Sequence, residues 1–209
     1  MSLRHILLPA SSETPEYLLV GLHGWGANAQ DLAGLVPYFD LPGFAFIFPD
    51  APFSHYQVPG GRAWYSLETP NYEGLEESRQ LLADWLLSLP EITGVPLEKI
   101  VCMGFSQGGA MTIDVGLNFP LAALCSLSGY LHSPPQIKNR EKIPPILIMH
   151  GSQDPIVPVK AAQEARDILN KLGAKVQYQE FPIGHEITPA EIKYMEKFLR
   201  KIVPTANEG

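Results

Sequence analysis

The residues best able to do covalent chemistry in this chain lie in Gly104-Phe105-Ser106-Gln107-Gly108, a G-x-S-x-G pattern. Such a serine sits on a sharp turn between a strand and a helix, with its hydroxyl lifted to the end of a sheet. The context here fits: the apolar run Lys99–Met103 precedes the turn, and the helix-like stretch Gly109–Asn118 follows it. The flanking glycines leave room for neighbouring chain segments to approach closely. The start of the following helix also offers positive potential to a developing anion. A serine hydroxyl is a poor nucleophile until a base takes its proton, so the next requirement is a histidine with an acid behind it.

Behind an elbow of this kind the acid comes next in the chain and the histidine last. Of the six histidines, His150 and His185 follow the elbow at suitable places. Asp154 stands just past the end of a buried strand, in His150-Gly151-Ser152-Gln153-Asp154-Pro155, and His185 lies after the last strand. The order Ser106, Asp154, His185 is therefore satisfied, with His185 as general base and then acid, and Asp154 holding its tautomer. His150 is the competing base, although it would share a turn with its own acid. Asp114 reads as a solvated residue of the helix after the elbow, and Glu186 as a neighbour of His185 that contacts solvent or the neighbouring helix. His5, His55 and His132 have no acid partner visible in the sequence. There is no His-x-x-x-His pair or cysteine cluster, so no metal site is expected, and the chemistry calls for no cofactor.

Acyl chemistry also needs two donors for the developing oxyanion, worth roughly 3–4 kcal/mol each. One is the backbone N–H of Gln107, directly after the nucleophile. The other comes from Leu22-His23-Gly24-Trp25-Gly26, where glycines on both sides of Trp25 free its N–H to point at a substrate oxygen. A plain glycine-rich turn between strand and helix is the alternative there.

The elements that must hold these groups are legible as alternating strands and helices. Strands are expected at Ile6–Pro9, Tyr17–His23, Phe44–Phe48, Lys99–Phe105, Ala122–Leu127, Pro145–His150 and Lys175–Phe181. Most are apolar throughout, the mark of strands covered on both faces. Between them, Leu75, Leu82, Trp85, Leu86 and Leu89 form one helical stripe, and Ala161, Ala165, Ile168, Leu169 and Leu172 another, stopped by Gly173. A short helix is expected behind Asn28, with Asp31 three residues on. The last helix opens with Thr188 as N-cap, Pro189 at its first position and Glu191 closing a capping box. The pattern predicts one α/β domain over residues 1–209, with a mostly parallel sheet and helices on both faces. Asp50–Tyr72, rich in Pro, Gly and aromatic residues, has little periodicity and reads as a packed functional loop.

Composition narrows the partners. The chain has 209 residues, 45% hydrophobic and 18% charged, with 22 acidic against 15 basic side chains and a formal charge of −7. That balance disfavours nucleic acid and a polybasic membrane patch. Val115–Ile137 is long and apolar enough to mimic a spanning segment, but Asn118, Pro120, Gly129, Pro134 and Pro135 interrupt it. It reads as a helix end, a buried strand and a loop, so stable membrane insertion is not expected. Met1–Ala10 lacks the pattern of a secretory signal, and Cys102 and Cys125, the only cysteines, sit in apolar runs as buried thiols. A cytoplasmic protein, monomeric or homodimeric, is the expectation.

These motifs resemble the phospholipase/carboxylesterase family of α/β-hydrolases, which includes acyl-protein thioesterases and bacterial carboxylesterases. The likeness spans nearly the whole chain, through Leu22-His23-Gly24-Trp25-Gly26, Phe48-Pro49-Asp50-Ala51-Pro52, Arg62-Ala63-Trp64-Tyr65, Gly104-Phe105-Ser106-Gln107-Gly108-Gly109-Ala110, His150-Gly151-Ser152-Gln153-Asp154-Pro155-Ile156-Val157-Pro158 and Gly184-His185-Glu186. The resemblance implies an α/β-hydrolase fold, a triad of Ser106, Asp154 and His185, and oxyanion donors at Trp25 and Gln107. It implies hydrolysis of small-molecule or lipid esters or thioesters without a cofactor, either by a carboxylesterase or by a long-chain acyl-protein thioesterase or lysophospholipase. A remote reading is an inert hydrolase scaffold used as a binding module. Two departures stand out: Trp25 replaces a common leucine, and Ser152-Gln153 replaces the usual acid before Asp154. The chain has no room for a large inserted cap. Access to Ser106 would then fall to Asp50–Tyr72, where Trp64 and Tyr65 either contact the acyl group or pack the loop on the sheet.

Overall fold

A computed structural model describes residues 3–10, 14–137 and 143–203. Its main sheet has seven strands in the order β1-β3-β2-β6-β7-β8-β9. These are β1 (His5–Leu8), β2 (Tyr17–Leu22), β3 (Phe44–Pro49), β6 (Ile100–Phe105), β7 (Ala123–Leu127), β8 (Ile146–Gly151) and β9 (Val176–Phe181). Every pairing is parallel except that of β1 with β3. All seven strands fall where the sequence places them, six on apolar runs and β9 on the alternating segment Val176–Phe181, and no large cap is inserted among the described residues.

Alternation along β2 shows why both faces need cover. Leu18, Val20 and Leu22 join one core layer, with Leu82, Trp85, Leu86 and Leu89 of α2 (Leu75–Thr93), Met111 and Ile113 of α3 (Gln107–Gly116), and Ala162, Ala165 and Leu169 of α4 (Val159–Lys171). Leu19 points the other way, into a layer with Leu32 of α1 (Ala29–Ala33) and Met195, Phe198 and Leu199 of α5 (Pro189–Ile202). Burying each such leucine contributes about 1.5–3 kcal/mol.

Local signals set the helix ends. Asn28 and Asp31 form a reciprocal capping box on α1, and Thr188 and Glu191 do the same on α5. α4 closes on Gly173 at φ 92°, with Gly173 N donating to Asn170 O and Ala174 N to Leu169 O. That pair of bonds satisfies carbonyls the helix would otherwise leave open.

The expected loop Asp50–Tyr72 is more ordered than its sequence suggests. It contains a small antiparallel pair, β4 (Phe53–Ser54) with β5 (Arg62–Ala63). Arg62 ties it down: its guanidinium donates to Ala51 O at 2.8 Å, Pro52 O at 2.8 Å and Ser54 Oγ at 3.0 Å. Two residues per strand leave no period to detect. Among the described residues, no helix is long and apolar enough to cross a membrane.

Candidate active site

β6 delivers Ser106 at its carboxyl end, in a backbone conformation of φ 55° and ψ −118° that L-residues rarely adopt. Such strain costs about 1–3 kcal/mol and persists only where the surroundings enforce it. The enforcement is visible. Ser106 N donates to Leu127 O at 2.8 Å, and Ala110 N to Ser106 O at 3.0 Å. The flanking glycines are sterically obligatory: a Cβ on Gly104 would lie 2.2 Å from Gly108 O, and one on Gly108 would lie 2.1 Å from Leu22 O.

Two further loops converge on the serine from the carboxyl ends of β8 and β9. His185 Nε2 is 3.0 Å from Ser106 Oγ, and its Nδ1 is 2.7 Å from Asp154 Oδ2. The Phe105 ring lies beside the imidazole at a centroid distance of 4.7 Å. The other oxygen of Asp154, Oδ1, accepts backbone N–H groups from Ile156 at 2.8 Å and Val157 at 2.9 Å. Burial alone would raise the Asp154 pKa. The bond to His185 and the two backbone donors outweigh it and hold the carboxyl below its ordinary value. Asp154 is therefore a carboxylate at neutral pH, with both oxygens occupied.

The acid and histidine loops are locked together by main chain. Ser152 N donates to Phe181 O at 2.7 Å and Gln153 N to Ile183 O at 3.0 Å. Gly151 allows the contact, since a Cβ there would stand 2.2 Å from Gly184 O.

The two expected oxyanion donors also border the serine. Gln107 opens α3, so its N–H has no partner within the helix. Its buried side chain accepts from Trp64 N at 2.9 Å and donates to Tyr65 O at 2.8 Å, which ties the elbow to the segment after β5. In the β2–α1 turn, Gly26 N donates to Arg62 O and Ala27 N to Gly24 O, while the N–H of Trp25 makes no such backbone bond. A Cβ on Gly24 would come 3.4 Å from Ser106 Cβ, so this turn abuts the nucleophile.

His23, which sequence reasoning treated only as part of its motif, braces that turn. Its Nε2 accepts from Ala51 N at 3.0 Å, which fixes the proton on Nδ1, donating to Gly24 O at 2.8 Å. Burial lowers its pKa and keeps it neutral.

Several expectations change. Trp64 is 0% exposed, with its indole N–H on His23 O at 3.0 Å, so it supports the Gly24-Trp25 turn from inside and presents no face to an acyl group. Tyr65 is equally buried, its hydroxyl 2.6 Å from that of Tyr130, and contributes only to the wall of a neighbouring cavity. His150 is not at Ser106. It lies beneath the acid, fully buried, donating from Nε2 to Val157 O at 2.8 Å with Asp154 Oδ2 at 3.5 Å. Asp114 is not a solvated helix residue but a largely buried ion-pair centre, 2.7 Å from Arg79 and 3.0 Å from His132 Nδ1. His132 therefore has an acid partner after all, inside a box of Tyr65, Tyr72 and Tyr130 rings. Those partners come from separate elements, and no local spacing announces them. Cys102 and Cys125 are buried free thiols. Among the described residues, no three His, Cys, Asp or Glu side chains gather as a metal site.

Comparison with known proteins places this geometry. The family model described as Phospholipase/Carboxylesterase matches residues 5–203. The chain belongs to the phospholipase/carboxylesterase family. It is accordingly a hydrolase of the α/β-hydrolase fold. This member of the family is 28% identical to acyl-protein thioesterase 1 of Gibberella zeae, over 97% of each chain. It is 29% identical to carboxylesterase SOBER1 of Arabidopsis thaliana, over 88% of this family member and 89% of that protein. Among solved structures, the crystal structure of esterase PE8 superposes with a TM-score of 0.88 at 31% identity, covering 97% of this chain and 100% of that one.

Proposed function

We propose that this protein is a serine carboxylesterase, hydrolysing carboxylic esters and thioesters through an acyl-Ser106 intermediate. The observation that carries the reading is the continuous relay from Asp154 through His185 to Ser106 Oγ, with contacts of 2.7 and 3.0 Å. His185 Nε2 takes the proton as Ser106 Oγ attacks the carbonyl carbon, and the N–H groups of Trp25 and Gln107 receive the developing oxyanion. His185 then gives that proton to the departing alcohol or thiol as the acyl bond breaks. Water repeats the sequence on the acyl-enzyme, releasing the acid and restoring Ser106. Asp154 stays ionised throughout and stabilises the imidazolium.

A modest substrate group fits best, since the cavity beside Trp25 holds about 330 Å³, at the small end of ligand sites. The relatives named acyl-protein thioesterase favour a second reading, removal of long acyl chains. Hydrolysis rates across oxygen esters and thioesters of increasing acyl length separate the two. A steep rise toward long chains selects the second. The buried free thiols suit a reducing compartment, and we place the activity in the cytoplasm.

The deciding experiment pairs fluorophosphonate labelling with Ser106→Ala. The native protein should be labelled at Ser106, and the variant, folded, should lose about 10³-fold or more in turnover. An unlabelled native protein, or a variant of near-native turnover, would refute the reading and leave a binding module in its place.

A further inference from the structure

The cavity beside Trp25 carries charge of one sign only. Trp25, Phe53 and Tyr56 line it with the buried Tyr65 behind, Glu68, Glu73 and Glu77 lie along it, and no lysine or arginine lines it. Among the described residues, none of the three carboxylates is in an ion pair. The aromatic wall is continuous: the Trp25 ring meets His55 edge-on at 4.4 Å between centroids and lies 6.4 Å from Tyr56. The cavity is linked to the reaction centre through two of its lining residues. Trp25 follows the glycine that abuts Ser106, and Tyr65 is held by the side chain of Gln107.

We propose that this cavity binds a positively charged alkylammonium group carried by the ester substrate, a specificity that rests on the serine-esterase reading of Ser106. Aromatic faces attract such a cation through their negative π surface. A weakly hydrated quaternary ammonium enters an aromatic pocket at low cost, and the carboxylates, of which Glu68 also accepts the Tyr56 hydroxyl, add attraction that a neutral chain cannot use. Charge complementarity thus selects a cation over an uncharged acyl tail of the same size.

Two pairs of isosteric esters test it. One pair carries the charge in the alcohol, acetylcholine against 3,3-dimethylbutyl acetate. The other carries it in the acyl group, the p-nitrophenyl esters of 4-(trimethylammonio)butyrate and 5,5-dimethylhexanoate. Each ratio of kcat/KM is divided by the corresponding ratio for alkaline hydrolysis, which removes intrinsic reactivity. The cationic member should win by about tenfold in one pair at low salt, combining one cation–π contact with partly screened carboxylates. That ratio should fall to about threefold in E73Q/E77Q, the share left to the aromatic wall. It should persist in E98Q, which removes an exposed charge before β6, at the opposite end of that strand from Ser106. Ratios at or below one in both pairs, with the neutral esters still turned over, would overturn the cation site and leave a neutral chain as occupant. A preference undiminished in E73Q/E77Q would overturn its assignment to this cavity. Failure to hydrolyse any of the four esters, with no fluorophosphonate labelling, would overturn the esterase reading and the cation site with it.

Discussion

Asp154→Asn should abolish most of the activity without disturbing the fold, because the two oxygens of Asp154 have different jobs. Oδ1 accepts two backbone N–H groups, from Ile156 and Val157. An amide NH₂ there would face two donors, so the asparagine oxygen must keep that side. The NH₂ then falls where Oδ2 was, 2.7 Å from His185 Nδ1. Two donors cannot share that distance, so His185 moves its proton to Nε2 and offers Nδ1 as acceptor. Nε2, 3.0 Å from Ser106 Oγ, is then already protonated and no longer a base. The equivalent tautomer error in a serine protease costs about 10⁴ in kcat, near 5.4 kcal/mol at 1.36 kcal/mol per decade. The assay is p-nitrophenyl acetate hydrolysis from pH 6 to 10, beside thermal unfolding of both proteins. We expect a loss of roughly 10⁴-fold at pH 7, partial recovery as hydroxide rises, and an unfolding midpoint within a few degrees of the parent. A folded Asp154→Asn protein within tenfold of native kcat at pH 7 would refute the tautomer argument.

Other outcomes follow from the same geometry. Gly108→Ala places a Cβ 2.1 Å from Leu22 O, between two backbone segments that cannot yield; activity should fall at least 100-fold and stability by about 1–3 kcal/mol, read by kinetics and urea unfolding. His150→Leu removes the donor to Val157 O and should lower kcat about tenfold at little change in KM, with a stability loss of about 1–3 kcal/mol. Burial would raise the Asp114 pKa, but His132 and Arg79 outweigh it and depress the value; the stability it confers is therefore present above the unfolded carboxyl pKa and lost as pH falls through the lower folded one. Native minus Asp114→Asn stability should be about 1–3 kcal/mol at pH 7 and shrink toward zero below pH 4, and a difference independent of pH would contradict the ion-pair account.

What the sequence discloses is what neighbours in the chain decide. Continuous apolar runs sufficed for the central strands, because a doubly covered strand must be apolar along its length; the edge strand β9, Val176–Phe181, alternates polar and apolar residues and is only half-buried. The capping boxes at Asn28 and Thr188 and the stop at Gly173 are likewise written within a few residues. The candidate triad was visible from chain order and from where each residue falls after its strand. Contacts between distant segments were not. The pairing of Asp114 with His132 joins a helix to the loop after β7. Trp64 looks like any loop aromatic until Gln107 and His23 are found gripping it. An aromatic residue in a loop fits a substrate wall and a buried support equally well, and only the direction of its chain decides.

The join between the acid and histidine loops has one further consequence. Ser152 and Gln153 are exposed, and only their backbone groups make the bonds to Phe181 and Ile183. Side chains at these positions are free to drift over generations while the relay keeps its shape. They also offer an attachment point for a fluorophore or a solid support, one or two residues from Asp154, through which the working enzyme can be watched or immobilised.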